Sequence, residues 1–108
     1  MDDLIRQMGI RIYERRKQKR WTQEELAEAS GVTPQTISTA ELGKKALRPQ
    51  NMLKICVALE ISTDYLLTGK ITGADTNAIS EAIAKLTPQQ YHYLEEIINS
   101  YIAAMTLD

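Results

Sequence analysis

Side chains suited to catalysis or metal binding are few in this sequence of 108 residues. It has one cysteine, Cys56, and one histidine, His92, so a single chain offers no internal disulfide and too few soft ligands for a metal cage. No pattern in it suggests a nucleophile, base and oxyanion site, and it has no glycine-rich phosphate loop. We therefore expect no enzyme activity, no metal and no required cofactor. Binding through hydrogen bonds and charge is the chemistry that remains.

Small polar residues stand where two short helices are predicted to begin. Thr22 and Glu25 have the spacing of a capping box, and Thr33 precedes Pro34, a residue suited to the first helical position. Gly31 between them can end the earlier helix in the left-handed conformation. A helix, a glycine turn and a second helix that opens with polar residues form a shape that lets the second helix enter the major groove of DNA.

Charge is unevenly distributed along the chain, although the net charge is only −1. Residues 1–70 contain twelve lysines and arginines against nine acidic residues, a net charge of +3. Residues 71–108 contain Lys85 against five acidic residues, a net charge of −4. Because attraction to nucleic acid depends on local fields, the first part can approach DNA and the tail is a poor candidate for doing so.

The composition is that of an ordinary globular protein, with 44% hydrophobic and 25% charged residues. No apolar run approaches the roughly 20 residues of a membrane span, and the first residues lack the pattern of a signal peptide. We expect no membrane association and a cytoplasmic location. The free Cys56 suits a reducing compartment.

Helix start and stop signals predict an all-α fold, since no segment shows the two-residue alternation of a strand. Five helices are expected before Gly69: the first extends from Asp3 to Arg20, and the fourth and fifth begin at Pro49 and Ser62. The residues expected to face inward on the fourth helix are Met52, Leu53, Cys56, Val57 and Leu59.

Two further amphipathic helices are predicted after a polar linker at residues 70–76. Residues 77–108 could pack back onto the first domain, but the last helix has two apolar rows, more than one contact needs. We therefore expect this segment to form a homodimer, whose two-fold symmetry suits a near-palindromic DNA site. The predicted dimer contacts are Tyr91, Leu94, Ile97, Ile98, Tyr101, Ile102 and Met105.

The stretch from Gln23 to Gly43, QEELAEASGVTPQTISTAELG, resembles the phage repressor and Cro family, also called Xre-type regulators. The likeness continues through Arg48-Pro49 and ends with ISTDYLLTG at Gly69, about two-thirds of the way along the chain. The resemblance implies a five-helix, lambda-repressor-like DNA-binding domain over residues 1–69, followed here by two C-terminal helices. It also implies a sequence-specific transcriptional regulator.

The resemblance further implies which residues meet DNA. Gln35 is the leading candidate for reading a base, because its carboxamide can donate to and accept from adenine. Pro34 departs from the glutamine of some relatives and can offer only apolar contact. The implied base contacts are Thr33, Pro34, Gln35, Thr36 and Thr39, and the implied phosphate contacts are Thr22, Gln23, Lys44, Lys45 and Arg48.

Arg16 and Glu41 match a buried ion pair that joins the first and third helices of related repressors, and we assign them a structural role. Cys56 is expected to pack as a small hydrophobic residue, with redox sensing as the minor alternative.

Two functions follow as hypotheses. The first is a homodimeric repressor that binds duplex DNA at a near-palindromic operator. The alternative is an antitoxin-like or anti-repressor module that binds a regulatory protein partner through its acidic tail, with autoregulatory DNA binding.

Overall fold

The structure, a computed structural model, describes residues 2–106, which contain helices and no strands. The predicted all-α fold is therefore confirmed. The chain divides into two compact units, Met1–Thr76 and Asn77–Asp108. The seven helices are α1 (Asp2–Gln18), α2 (Gln23–Ser30), α3 (Pro34–Glu41), α4 (Pro49–Leu59), α5 (Thr63–Thr68), α6 (Gly73–Ala84) and α7 (Pro88–Met105).

The helices α2 and α3 and the turn between them form at the capping residues and the glycine that the sequence predicted. Thr22 accepts a hydrogen bond from the Glu25 amide at 3.0 Å, and the Glu25 carboxylate accepts one from the Thr22 amide at 2.9 Å. Gly31 has a φ of 78°, a left-handed conformation that favours glycine. Thr33 caps α3, and Pro34 occupies its first turn. Short-range hydrogen bonds thus set where both helices begin.

The core of the first unit is built from one face of each of its five helices. On α1, Met8 and Ile12 are buried together with Arg16. Such burial supplies most of the stability of short helices, which are marginal in isolation. The buried apolar residues are Met8, Ile12, Leu26, Ala27, Ile37, Ala40, Ile55, Cys56, Leu59 and Leu66.

The orientation of α4 differs from the prediction. Leu53 and Val57, expected to face inward, are 58% and 69% exposed, whereas Ile55 is fully buried. The helix has two adjacent apolar rows, and its packing against α1, α2 and α5 covers only the row that contains Ile55 and Leu59. The prediction of Leu53 and Val57 as core residues was wrong because the pattern did not say which row the neighbouring helices would cover.

Gly9 allows α1 to approach the end of α3 closely. A Cβ atom placed at Gly9 would clash with the carbonyl oxygen of Ala40 and would lie 2.8 Å from that of Glu41. Backbone atoms at the end of a helix cannot move aside as a flexible side chain can. The absence of a side chain at Gly9 therefore helps to place α3 against the domain.

Two arginines of α1 bind the C-terminal ends of other helices. Arg15 Nε donates to the Leu59 carbonyl at 2.9 Å, and Arg11 Nη1 donates to the Leu66 carbonyl at 2.9 Å. Carbonyl groups in the last turn of a helix lack partners within the helix and carry the negative end of its dipole. These two arginines therefore stabilise α4 and α5 instead of lying on a wholly solvated basic face.

The second unit is a helical hairpin whose described residues, 77–106, include none that is buried. Helix α6 begins at Gly73, within the first unit, and continues past residue 77, so the last four residues of the predicted linker 70–76 are helical. Thr87 and Gln90 form a capping box at the start of α7. An apolar groove of about 500 Å³ lies between the two helices and is lined by Ile79, Ala82, Ile83, Leu86, Gln90, Tyr93, Leu94 and Ile97.

No helix among the described residues has both the length and the apolar character needed to cross a membrane.

Candidate nucleic-acid interface

The N-terminal end of α3 is a polar surface held outward by a buried face. Ile37 and Ala40 are 0% and 4% exposed, and they anchor one side of the helix in the core. Thr33, Pro34 and Gln35 lie exposed on the other side. Because the buried residues prevent α3 from rotating, these three side chains remain available to a binding partner.

An open cleft of about 260 Å³ follows the polar side of α3. One wall carries residues expected to meet bases, and the other carries two of the cations expected to meet phosphates. The cleft thus brings the polar side of α3 together with the 42–48 loop and the first turn of α4. It is lined by Gln35, Thr36, Thr39, Ala40, Lys45, Ala46, Leu47, Arg48 and Asn51.

Asn51 is a member of this cleft that the sequence analysis missed. It lies in the first turn of α4, three residues after Arg48, and is partly exposed. The available signal was a polar carboxamide in the first turn of α4. Its carboxamide offers the same donors and acceptor as that of Gln35.

Hydrogen bonds within α3 order its polar side chains. Gln35 Nε2 donates to the Thr39 hydroxyl at 3.2 Å, which uses one of the four hydrogen-bonding positions of the carboxamide. Thr33 and Thr36 share a hydrogen bond of 2.9 Å between their hydroxyl groups. The free positions of Gln35 are therefore presented by a side chain that is already oriented.

Arg16 and Glu41 form a buried ion pair beneath this surface. Arg16 Nε lies 2.7 Å from Glu41 Oε2, and Arg16 Nη2 donates to Glu41 Oε1 at 3.0 Å. The hydrogen bond to Glu41 is the main cause that raises the pKa of Arg16 above its ordinary value. Arg16 also donates to the Trp21 carbonyl at 2.7 Å. The pair links α1, the start of α2 and the end of α3.

The side chains of Thr22 and Gln23 already have partners within the protein. Gln23 Nε2 donates to Glu41 Oε1 at 3.0 Å, and the Thr22 hydroxyl caps α2. The second amide hydrogen of Gln23 is left for another acceptor. A phosphate contact here would therefore come from a side chain held in place by Glu41.

Three cations stand beside α3 without ion pairs among residues 2–106. Lys44, Lys45 and Arg48 are all exposed, and the ion pairs of this part of the chain involve other residues. Unpaired surface cations keep their full charge available to an anionic partner. This loop and the polar side of α3 together form one positively charged, hydrogen-bonding surface.

Cys56 is buried away from this surface, and we expect it to be chemically inert. Its side chain is 2% exposed, and burial raises the pKa of the thiol to about 11, with a smaller contribution from the charge of Asp75. At pH 8, a thiol reagent should label the folded protein at least about 100-fold more slowly than the urea-unfolded protein, because the thiolate is the reactive form. Equal rates would contradict a purely structural role.

The first unit matches a known protein family. Residues 12–66 fit the family model described as Helix-turn-helix. A Bacillus subtilis (strain 168) protein, the uncharacterized HTH-type transcriptional regulator YqaE, is 36% identical over 55 residues. That alignment covers 51% of this chain and 47% of the relative, so the chain matches about half the length of that protein.

A solved structure with a similar fold is the complex titled SinR protein/SinI protein. It matches with a TM-score of 0.55 and 22% sequence identity, over 89% of this chain and 98% of that chain. At this identity the likeness concerns the fold alone. The matched share exceeds what the first unit contains, so the similarity extends into the C-terminal helices.

Proposed function

This chain belongs to the helix-turn-helix family of DNA-binding transcriptional regulators, a class of proteins that are not enzymes, and from that membership we propose that it is a homodimeric repressor of transcription. Its target would be a near-palindromic operator in duplex DNA. The observation that carries the proposal is the exposed polar side of α3, which faces a cleft whose other wall bears Lys45 and Arg48.

In this proposal α3 enters the major groove with its N-terminal half toward the bases. Thr33, Pro34, Gln35, Thr36 and Thr39 then meet base edges. Gln35 is the best suited to direct reading, because a carboxamide can bond to N6 and N7 of adenine together. Thr39 offers a methyl group for a thymine methyl as well as a hydroxyl group.

The loop after α3 and the start of α2 would hold the two flanking phosphate strands. Lys44, Lys45 and Arg48 supply charge, while Thr22 and Gln23 lie at a helix N-terminus, where backbone amides favour anions. Each phosphate neutralised should make the slope of log affinity against log salt more negative by roughly 0.9. Binding should therefore weaken steeply as salt rises.

The decisive test begins with selection of bound fragments from random DNA. A palindromic consensus whose half-sites are centred about 10–10.5 base pairs apart, or a multiple of that distance, would support binding as a two-fold dimer. Absence of any consensus would contradict sequence-specific binding.

With that operator, Gln35→Ala is expected to reduce affinity by about 5–150-fold, the equivalent of about 1–3 kcal/mol for a lost base contact. Preference for one base pair in each half-site should relax at the same time. Fluorescence anisotropy at fixed salt measures both effects. Glu96→Ala, which truncates an exposed side chain on α7, is the control. Similar losses in the two variants would count against α3 as the reading helix.

Dimerisation is proposed for the second unit because its helices leave their apolar side chains uncovered. Ile97, Tyr101 and Met105 are 65%, 65% and 64% exposed, and the hairpin buries no residue of its own among those described. Two isolated helices of this kind gain little stability without a partner surface. A second copy would cover both grooves and place two recognition helices on one operator.

The second candidate function is binding of a different protein in place of a second copy of this chain. The protein with the similar fold was solved as a complex of two named proteins, and the acidic tail of this chain could attract a basic partner. Sedimentation of the purified chain separates the candidates, since a monomer at micromolar concentration would favour the antitoxin-like or anti-repressor function. A toxin gene beside the coding sequence would favour it as well.

A further inference from the structure

One carboxylate joins the beginnings of two helices in the first unit. Asp75 lies in the first turn of α6, and its Oδ2 accepts hydrogen bonds from the Thr72 amide at 2.8 Å and the Thr72 hydroxyl at 3.0 Å. The same side chain accepts from the amide of Ser62 and, at 2.8 Å, from the Ser62 hydroxyl. Ser62 is the N-cap residue of α5. Four hydrogen bonds thus converge on Asp75.

The position suits a negative charge. Both Ser62 and Thr72 immediately precede a helix, where the helix dipole favours an anion, and hydrogen bonds to an ionised acceptor are stronger than neutral ones. Partial burial of the carboxylate favours its neutral form, but the backbone and hydroxyl bonds from Ser62 and Thr72 outweigh burial and lower the pKa of Asp75. The Ser62 hydroxyl also accepts from the Tyr65 amide at 2.9 Å, so it is held on both sides.

The hydrogen bonds to Asp75 restrict the segment after α5, which the sequence predicted to be a polar linker. A free linker over residues 70–76 would have a reach of roughly 15 Å, taking about 5–6 Å times the square root of its length. That reach corresponds to about four base pairs at 3.4 Å each. Because α6 already begins at Gly73, only residues 69–72 lie between the two helices, and Asp75 binds the end of that segment back to Ser62.

We propose that Asp75 is a positioning residue that anchors the start of α6 to the DNA-binding unit and thereby makes operator affinity depend sharply on half-site spacing. The inference rests on the proposed dimeric DNA binding. An anchored connection cannot adjust to a changed spacing, whereas a flexible tether lets each DNA-binding unit follow its half-site.

The test compares the full-length protein with Asp75→Ala on three DNAs: the selected operator, the same operator with two base pairs inserted between half-sites, and a single half-site. The insertion is expected to cost the wild type at least about tenfold in affinity, through loss of simultaneous binding. In Asp75→Ala the cost should fall below about threefold, because the tether can then adjust. Half-site affinity should stay within about twofold of the wild type, since the residues of the α3 surface are unchanged.

Asp64→Ala is the matched control, because it removes an exposed carboxylate from the first turn of α5. It should keep the spacing dependence of the wild type. Thr72→Val, which retains the backbone donor and removes one hydroxyl bond, should lie between the wild type and Asp75→Ala. It also keeps the test decisive should Asp75→Ala fail to fold.

An unchanged spacing dependence in Asp75→Ala would overturn the proposal, as would an equal loss of affinity for half-site and operator, which indicates damage to the DNA-binding unit itself. Amide hydrogen exchange at Ser62 and Thr72 gives a readout that needs no DNA, and both amides should lose protection in Asp75→Ala. A wild type that shows no spacing dependence overturns dimeric binding and the spacing role together. Exchange at the two amides then still decides whether Asp75 anchors α6.

Discussion

Replacing Glu41 by alanine is expected to lower the free energy of unfolding by about 3–5 kcal/mol, the usual cost of breaking a buried ion pair from one side. The side chains of Arg16 and Glu41 are only 8% and 5% exposed, so the variant would leave a guanidinium group away from water without its counter-charge. Gln23 would lose its partner as well. Urea unfolding followed by the fluorescence of Trp21 measures the change.

The control for Glu41→Ala is Lys19→Ala, which breaks an ion pair between Lys19 and Glu60 that is equally short at 2.6 Å. Glu60 is 56% exposed there, and exposed pairs contribute about 0–1 kcal/mol. Replacing both members of the buried pair, as in Arg16→Met with Glu41→Leu, should restore part of the lost stability because no charge remains unpaired. Equal, small effects of Glu41→Ala and Lys19→Ala would show that burial of the first pair has no energetic consequence.

Replacing Ile97 by aspartate is expected to dissociate the proposed dimer and to reduce operator affinity by about 10²–10⁴-fold, the gain that linking two binding modules provides. Ile97 lines the groove between α6 and α7 and is 65% exposed, so a new charge there would have to be desolvated in the interface without disturbing a core. Affinity for a single half-site should not change. Sedimentation equilibrium and anisotropy on both DNAs provide the measurements.

Asn99→Asp is the matched control for Ile97→Asp, since it introduces the same charge at an exposed position of α7 that does not line the groove. This variant should remain dimeric. A dimer that survives Ile97→Asp would place the interface elsewhere on the chain. Equal dissociation by both variants would indicate that the added charge, and not its position in the groove, is responsible.

Local patterns in the sequence were sufficient to predict the all-α fold and most helix boundaries. The capping box at Thr22, the caps at Thr33 and Ser62, and the left-handed glycine at Gly31 all form as expected. Each signal works through hydrogen bonds between residues three or four positions apart, so it needs no knowledge of the rest of the chain. The same local reasoning predicted an exposed polar side of α3, because Ile37 and Ala40 indicate which side is buried.

Contacts between distant residues were not predictable in the same way. Nothing near Leu53 indicates that α4 turns Ile55 inward instead, and nothing near Asp75 indicates that its carboxylate meets Ser62, 13 residues earlier. Asn51 likewise joins Gln35 only because the tertiary fold places α3 and the first turn of α4 on the same cleft. Where a helix begins and ends depends on neighbours along the chain, whereas the burial and partners of a side chain depend on which other helix lies against it. Packing between helices therefore determines which apolar row is buried and which polar side chains meet, and the sequence alone does not distinguish among them.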